Sequence, residues 1–105
     1  MKKGLLFVSV LVFLVLLSSC ATEKEFVTVN FELYTYNELF ESYTRNFSQV
    51  ESQTVEKGTH ISEPTIPNLI SKTFAGWYKD KLFKQPWDFN DDILNVDTTL
   101  YGYYI

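Results

Sequence analysis

The sequence predicts one small α+β or mostly-β domain of four strands with little helix, carried behind an apolar N-terminal leader. Three observations carry this expectation. Residues 26–33 alternate apolar and polar side chains with a period of two. Gly58, Pro64, Pro67, Gly76 and Pro86 cut the rest of the chain into short segments. All seven tyrosines and both tryptophans lie beyond residue 20. Large rings are an economical filling for a core that so short a chain otherwise builds with difficulty.

The leader comes first in the chain. Lys2 and Lys3 give a short positive start, and Gly4–Leu17 is apolar except for Gly4 and Ser9. A membrane span needs about 20 apolar residues to cover the hydrocarbon at ~1.5 Å each. A run of 14 residues falls short of that but suits the apolar region of a signal peptide. It ends in Leu17-Ser18-Ser19-Cys20, which looks like the lipobox of bacterial lipoproteins. That pattern has an aliphatic residue three before the cysteine, small residues between, and a thiol that accepts diacylglyceryl. An ordinary signal peptide with an unmodified cysteine is the competing reading. Cys20 is the only cysteine and stands at the required offset, which favours the lipobox.

The expected organisation is therefore a cleaved signal peptide over residues 1–19, a lipid-modified Cys20 with a short polar tether to residue 25, and a domain over 26–105. A capped Cys20 leaves neither a disulfide nor a thiolate nucleophile. Two or three acyl chains, at roughly 0.8 kcal/mol per buried CH₂, would hold the protein at the membrane. Five residues from Ala21 to Glu25 reach at most about 18 Å, so the domain would sit close to the lipid on the extracytoplasmic side. Beyond Cys20, seven basic residues stand against thirteen acidic, a net charge of −6. That balance argues against nucleic acid as a partner.

Four strands follow in order. Phe26–Leu33 sets Val27, Val29, Phe31 and Leu33 on one face and Thr28, Asn30 and Glu32 on the other, a half-buried strand. The pattern breaks over Tyr34–Asn46, where Asn37 could cap a helical turn or the segment could form a hairpin tip. Phe47–Lys57, rich in β-formers and stopped by Gly58, reads as the second strand. Pro64 and Pro67 exclude regular structure from the segment between them. Thr73–Tyr78 reads as the third strand and Thr98–Ile105 as the last, with a long irregular or partly helical connection over Lys79–Asp97.

Chemistry-bearing residues are sparse. His60 is the only histidine and reads as a turn residue. Asp88-Phe89-Asn90-Asp91-Asp92 spaces oxygen donors like a calcium loop, yet Ile93 stands where the sharp turn needs glycine and Thr99 where a bidentate glutamate is needed. Turn capping is the expectation there, with no metal and no cofactor. Trp77 and Trp87 could stack on sugar, but packing is the commoner use of tryptophan in so small a domain.

Several elements together resemble a known family. Ser52–Gly58, the pair Pro64 and Pro67, Thr73-Phe74-Ala75-Gly76-Trp77-Tyr78, Pro86-Trp87-Asp88-Phe89 and Thr99-Leu100-Tyr101 follow the order and spacing of the internalin B-type, or Listeria–Bacteroides, repeat. The resemblance implies a small β-grasp-like (ubiquitin-like) α+β module, used outside the cell as a stalk or interaction unit, with no catalytic residues. The longer Tyr34–Asn46 segment, Ser71-Lys72 and the ending Tyr103-Tyr104-Ile105 depart from that pattern.

The resulting functional expectation is a non-enzymatic, lipid-anchored envelope module that binds a protein or glycan near the membrane. Its expected contact residues are Tyr34, Tyr36, Phe40 and Tyr43, with Tyr103 and Tyr104 as further candidates, because the family pattern does not require them. A structural envelope component that self-associates through strand edges is the alternative. A hydrolase would require polar residues converging in a deep cleft.

Overall fold

The computed structural model describes residues 23–105. The expected signal peptide, Cys20 and the first tether residues lie outside that range. Five strands form one mixed sheet: β1 Phe26–Asn37, β2 Ser42–Asn46, β3 Gln53–Glu56, β4 Phe74–Tyr78 and β5 Thr98–Tyr104. The order is β2-β1-β5-β4, with β3 also pairing with β1. β1 and β5 run parallel at the centre. All other pairs are antiparallel.

The alternation in the first strand does what it predicts. Val27, Val29, Phe31 and Leu33 are buried, and Leu100 and Tyr104 of β5, Trp77 of β4, and Ile61 and Leu94 from loops join them in the core. Each such side chain stabilises the fold by about 1.5–3 kcal/mol through burial. Trp77 packs edge-on against Phe31 at 4.9 Å and Phe74 at 5.2 Å, so it offers no face to a sugar. Trp87 is half-buried against the same core.

Three expectations change. The sheet has five strands rather than four, and no helix occurs among the described residues, so the α component of the expected α+β class is not found there. The segment over the apolar face is irregular instead. Ile61, Ile66, Leu69, Trp87, Phe89 and Leu94 reach the core from loops, and the Tyr104 hydroxyl pins the proline segment by donating to the Pro67 carbonyl at 2.6 Å. Prolines at 64 and 67 deny that stretch the amide donors a helix needs.

The first strand also runs on past Leu33. Residues 34–37 pair with β2 in a hairpin, from Leu33 opposite Asn46 to Asn37 opposite Ser42. Asn37 closes the turn, its side-chain oxygen accepting the amides of Leu39 at 2.9 Å and Phe40 at 3.2 Å. The hairpin reading of Tyr34–Asn46 is therefore the one realised.

The expected strand Phe47–Lys57 shrinks to Gln53–Glu56. Between the pairs Leu33–Asn46 and Val29–Gln53, six residues on one side stand against three of β1. The excess leaves Phe47–Ser52 outside the ladder, with Val50 packed against the core. β4 carries a smaller irregularity: Phe74 faces Tyr104 while Trp77 faces Gly102. The extra residue is absorbed at Gly76, whose φ of 116° suits glycine.

Candidate functional site

The sheet has a second face, opposite the core, and the same parity that buries Val27 to Leu33 directs Tyr34 and Tyr36 to it. Antiparallel pairing sets Tyr43 across from Tyr36 and Arg45 across from Tyr34. Parallel pairing adds Tyr101 and Tyr103 from β5, opposite Glu32 and Tyr34. Tyr78, from the end of β4, lies 5.8 Å from Tyr103 between ring centres.

Phe83 sits among these rings, at 4.5 Å from Tyr43, 4.5 Å from Tyr103, 5.6 Å from Tyr78 and 5.9 Å from Tyr34. Its backbone is left-handed, with φ 54°, a costly conformation for a bulky residue. The Asp80 carboxylate holds this loop by accepting the Lys84 and Gln85 amides at 3.0 and 2.9 Å. Desolvation alone would push the Asp80 carboxyl up, but the amides of Gln85 and Lys84, with its own and that of Leu82, bring it below the usual carboxylate range.

The rings are anchored rather than loose. Tyr34, Tyr36, Tyr78, Phe83, Tyr101 and Tyr103 are half-buried, while Tyr43 is the exposed member at 42%. Burial raises the hydroxyl pKa of Tyr34, Tyr43 and Tyr78 above the usual tyrosine value, and for Tyr34 the hydrogen bond it donates to Glu32 adds to the rise. Two cations flank the face. The Arg45 guanidinium lies 5.8 Å from the Tyr34 ring and 4.9 Å from Phe47, and pairs with Glu32 at 3.6 Å. The Lys81 ammonium lies 5.7 Å from the Tyr101 ring. The result is an aromatic platform with hydroxyl and cationic edges, chemistry suited to stacking and hydrogen bonding.

Of the contact residues expected from sequence, Tyr34, Tyr36 and Tyr43 come together here. Phe40 does not: it belongs to the turn beyond the last β1–β2 pair and is 75% exposed, away from the cluster. Tyr103 joins the platform, but Tyr104 points the other way and is buried in the core at 2% exposure. Successive residues of a strand face opposite sides, so the two could not share a surface. The same parity would have picked out Tyr101, which was missed. Nothing local in the sequence announces Phe83 or Tyr78.

Elsewhere, a cleft of about 600 Å³ opens between the hairpin turn and Ser71-Lys72, with mixed walls that include Thr35, Asn37, Leu39, Lys72 and Ile105. His60 is exposed, its Nδ1 at 3.0 Å from the Asp92 carbonyl. Asp88 accepts the amides of Asn90 and Asp91, Asp92 accepts that of Asp88, and Lys79 pairs with Asp92. These carboxylates are engaged in turn capping. Among the described residues no helix is long and apolar enough to cross a membrane.

Comparison with known proteins agrees with the fold-motif residues. A protein of Evansella cellulosilytica, described as a Gly-rich membrane protein, is 35% identical over 85 residues, covering 81% of this chain and 10% of its own length. A second protein of that organism, described as a membrane protein, is 37% identical over 85 residues, covering 76% of this chain and 13% of its own length. Internalin H of Listeria monocytogenes is 37% identical over 73% of this chain and 15% of its own length. This chain thus corresponds to a small fraction of each of these relatives. Residues 28–102 match the Listeria-Bacteroides repeat domain, from near the start of β1 through most of β5, and the chain belongs to that family.

Proposed function

We propose that this protein is a lipid-anchored, non-enzymatic module of the bacterial envelope that binds a protein or glycan partner close to the membrane through its tyrosine face. The observation that carries the reading is the platform of Tyr34, Tyr36, Tyr43, Tyr78, Tyr101 and Tyr103 held around Phe83. Half-buried rings lose little conformational freedom when a partner docks, and tyrosine supplies broad amphipathic contact with few rotatable bonds. The relatives described as membrane proteins support a place at the membrane. The lipobox-like residues Leu17–Cys20 support attachment by lipid on the extracytoplasmic side. The β-grasp-like description belongs to this proposal as well, supported by the parallel first and last strands at the centre of the sheet.

Two experiments test it. Proximity labelling in intact cells with the full chain should recover a partner that is lost when Tyr36 and Tyr43 are changed to Ser and retained in Phe40→Ser. Equal recovery from both variants would remove the tyrosine face from the proposal. Separately, Cys20→Ser should leave the protein unprocessed or released, read as a changed mass and a shift out of the membrane fraction. An unchanged mass and distribution rule out the lipid anchor.

A further inference from the structure

We propose that β2 is a self-pairing edge, through which two copies of this chain join antiparallel and merge their sheets. This inference does not need the tyrosine face to bind a partner, but it rests on the proposed lipid anchor for the local concentration it requires. β2 closes one side of the sheet, and among the described residues no further main-chain hydrogen bond reaches Ser42–Asn46 beyond its pairing with β1. The strand is short and carries the charged Arg45, two of the usual protections of an edge, but it contains no proline, no lysine and no bulge to bar a second strand.

The sequence of the strand fits itself. Reversed and laid alongside a second copy, Ser42-Tyr43-Thr44-Arg45-Asn46 puts Thr44 opposite Thr44 on the two-fold axis, Tyr43 opposite Arg45 twice, and Ser42 opposite Asn46 twice. The inner side of β2 already makes two of these pairings in the register it holds with β1. Thr44 faces Thr35, and Arg45 faces Tyr34 with the guanidinium 5.8 Å from the ring. The outer side would repeat chemistry the sheet demonstrably accommodates. Parity is preserved, so Tyr43 and Arg45 of both copies stay on the tyrosine face and the two platforms become continuous.

The same register gives a partner to two exposed rings, of which Phe47 is met in one copy by the Arg45 guanidinium at 4.9 Å. Phe47 follows β2 directly and is 77% exposed, and Phe40 in the hairpin turn is 75% exposed. Pairing over Ser42–Asn46 places Phe47, where the chain leaves β2, at the turn of the other copy, near its Phe40. Five residue pairs make a small interface, and each copy carries a net charge of −6 beyond Cys20. The pairing therefore depends on a high local concentration, which confinement to a membrane supplies, and strengthens with salt.

The test uses the full chain in phosphatidylcholine vesicles, with donor and acceptor dyes on separate copies. Energy transfer should rise with density and with added salt. Thr44 is exposed, so charge can be placed on the axis without disturbing the core. Thr44→Lys and Thr44→Glu should each weaken association about tenfold by setting like charges face to face, and an equal mixture of the two should restore it. An uncharged measurement accompanies this one. Oxidised Thr44→Cys should give a disulfide that peptide mapping places between residue 44 of two copies, in a yield far above the cross-link from the exposed control Asn90→Cys. Co-flotation with the vesicles checks the anchor separately. Absence of transfer from unaltered chain that does co-float, a mixture no tighter than its components, or equal cross-linking at 44 and 90 overturns the pairing.

Discussion

Gly102 is where β5 is most tightly covered. A methyl group placed there would stand 2.6 Å from the Phe74 ring and 2.8 Å from Trp77, and both rings are wedged by Phe31 and Tyr104. Gly102→Ala should therefore cost about 1–3 kcal/mol through overpacking, seen as a lower denaturant midpoint with an unchanged slope. Tyr104→Phe keeps the ring and removes only the hydroxyl that Pro67 accepts, at a cost of about 1 kcal/mol. Tyrosine burial also sets an alkaline limit. Burial raises Tyr34, Tyr43, Tyr78 and Tyr104 above their unfolded value, so the native state holds these protons more tightly than the unfolded chain does. Their contribution is complete below a pH of about 10 and is lost as pH climbs through the raised native values. A denaturant midpoint that does not fall as pH rises past that point contradicts the burial of these hydroxyls.

Among the elements, the Lys79–Gln85 loop depends on one carboxylate. Asp80 is lowered in the native state, so its hold on the Lys84 and Gln85 amides is complete above its unfolded value and fades as pH falls through the lower native one. Asp80→Ala should loosen Phe83 at neutral pH, read as faster amide exchange at Lys84 and Gln85 and a changed near-ultraviolet tyrosine signal, with the core unaffected. The elements also differ in how clearly the sequence announces them. Val27 to Leu33 could be read because one of their faces is buried and the other is not. β2 and the second half of β1 were silent because Thr35, Asn37 and Thr44 occupy the core-side register without being apolar. Hydrophobic periodicity reports a buried face, and this hairpin overhangs the core. Asn37 was ambiguous for a related reason, since the same side-chain cap serves a helical turn and a hairpin turn.

At the scale of the whole molecule, family membership was legible because its marker residues are those the packing cannot exchange: Gly76 at the register shift, Trp77 and Leu100 in the core. The absence of helix among the described residues was less so, because the segments that cover the sheet are held by scattered contacts at Ile61, Leu69 and Leu94 that follow no period. The tyrosine face lay between these cases. Tyr34 and Tyr36 followed from the parity of the first strand and Tyr101 could have, while Phe83 arrives from a loop whose path depends on Asp80. The central strand pair has a mechanical consequence. β1 and β5 lie parallel over seven register positions, from Val29–Thr98 to Thr35–Tyr104. The chain enters the pair at one end of the sheet and leaves it at the other. Tension applied between Phe26 and Ile105 therefore loads all seven positions in shear at once, rather than peeling them apart in turn. In single-molecule stretching the domain should rupture in one abrupt event, at a force well above that needed when the same domain is pulled from Asn37 and Ile105, neighbours at one end of the ladder.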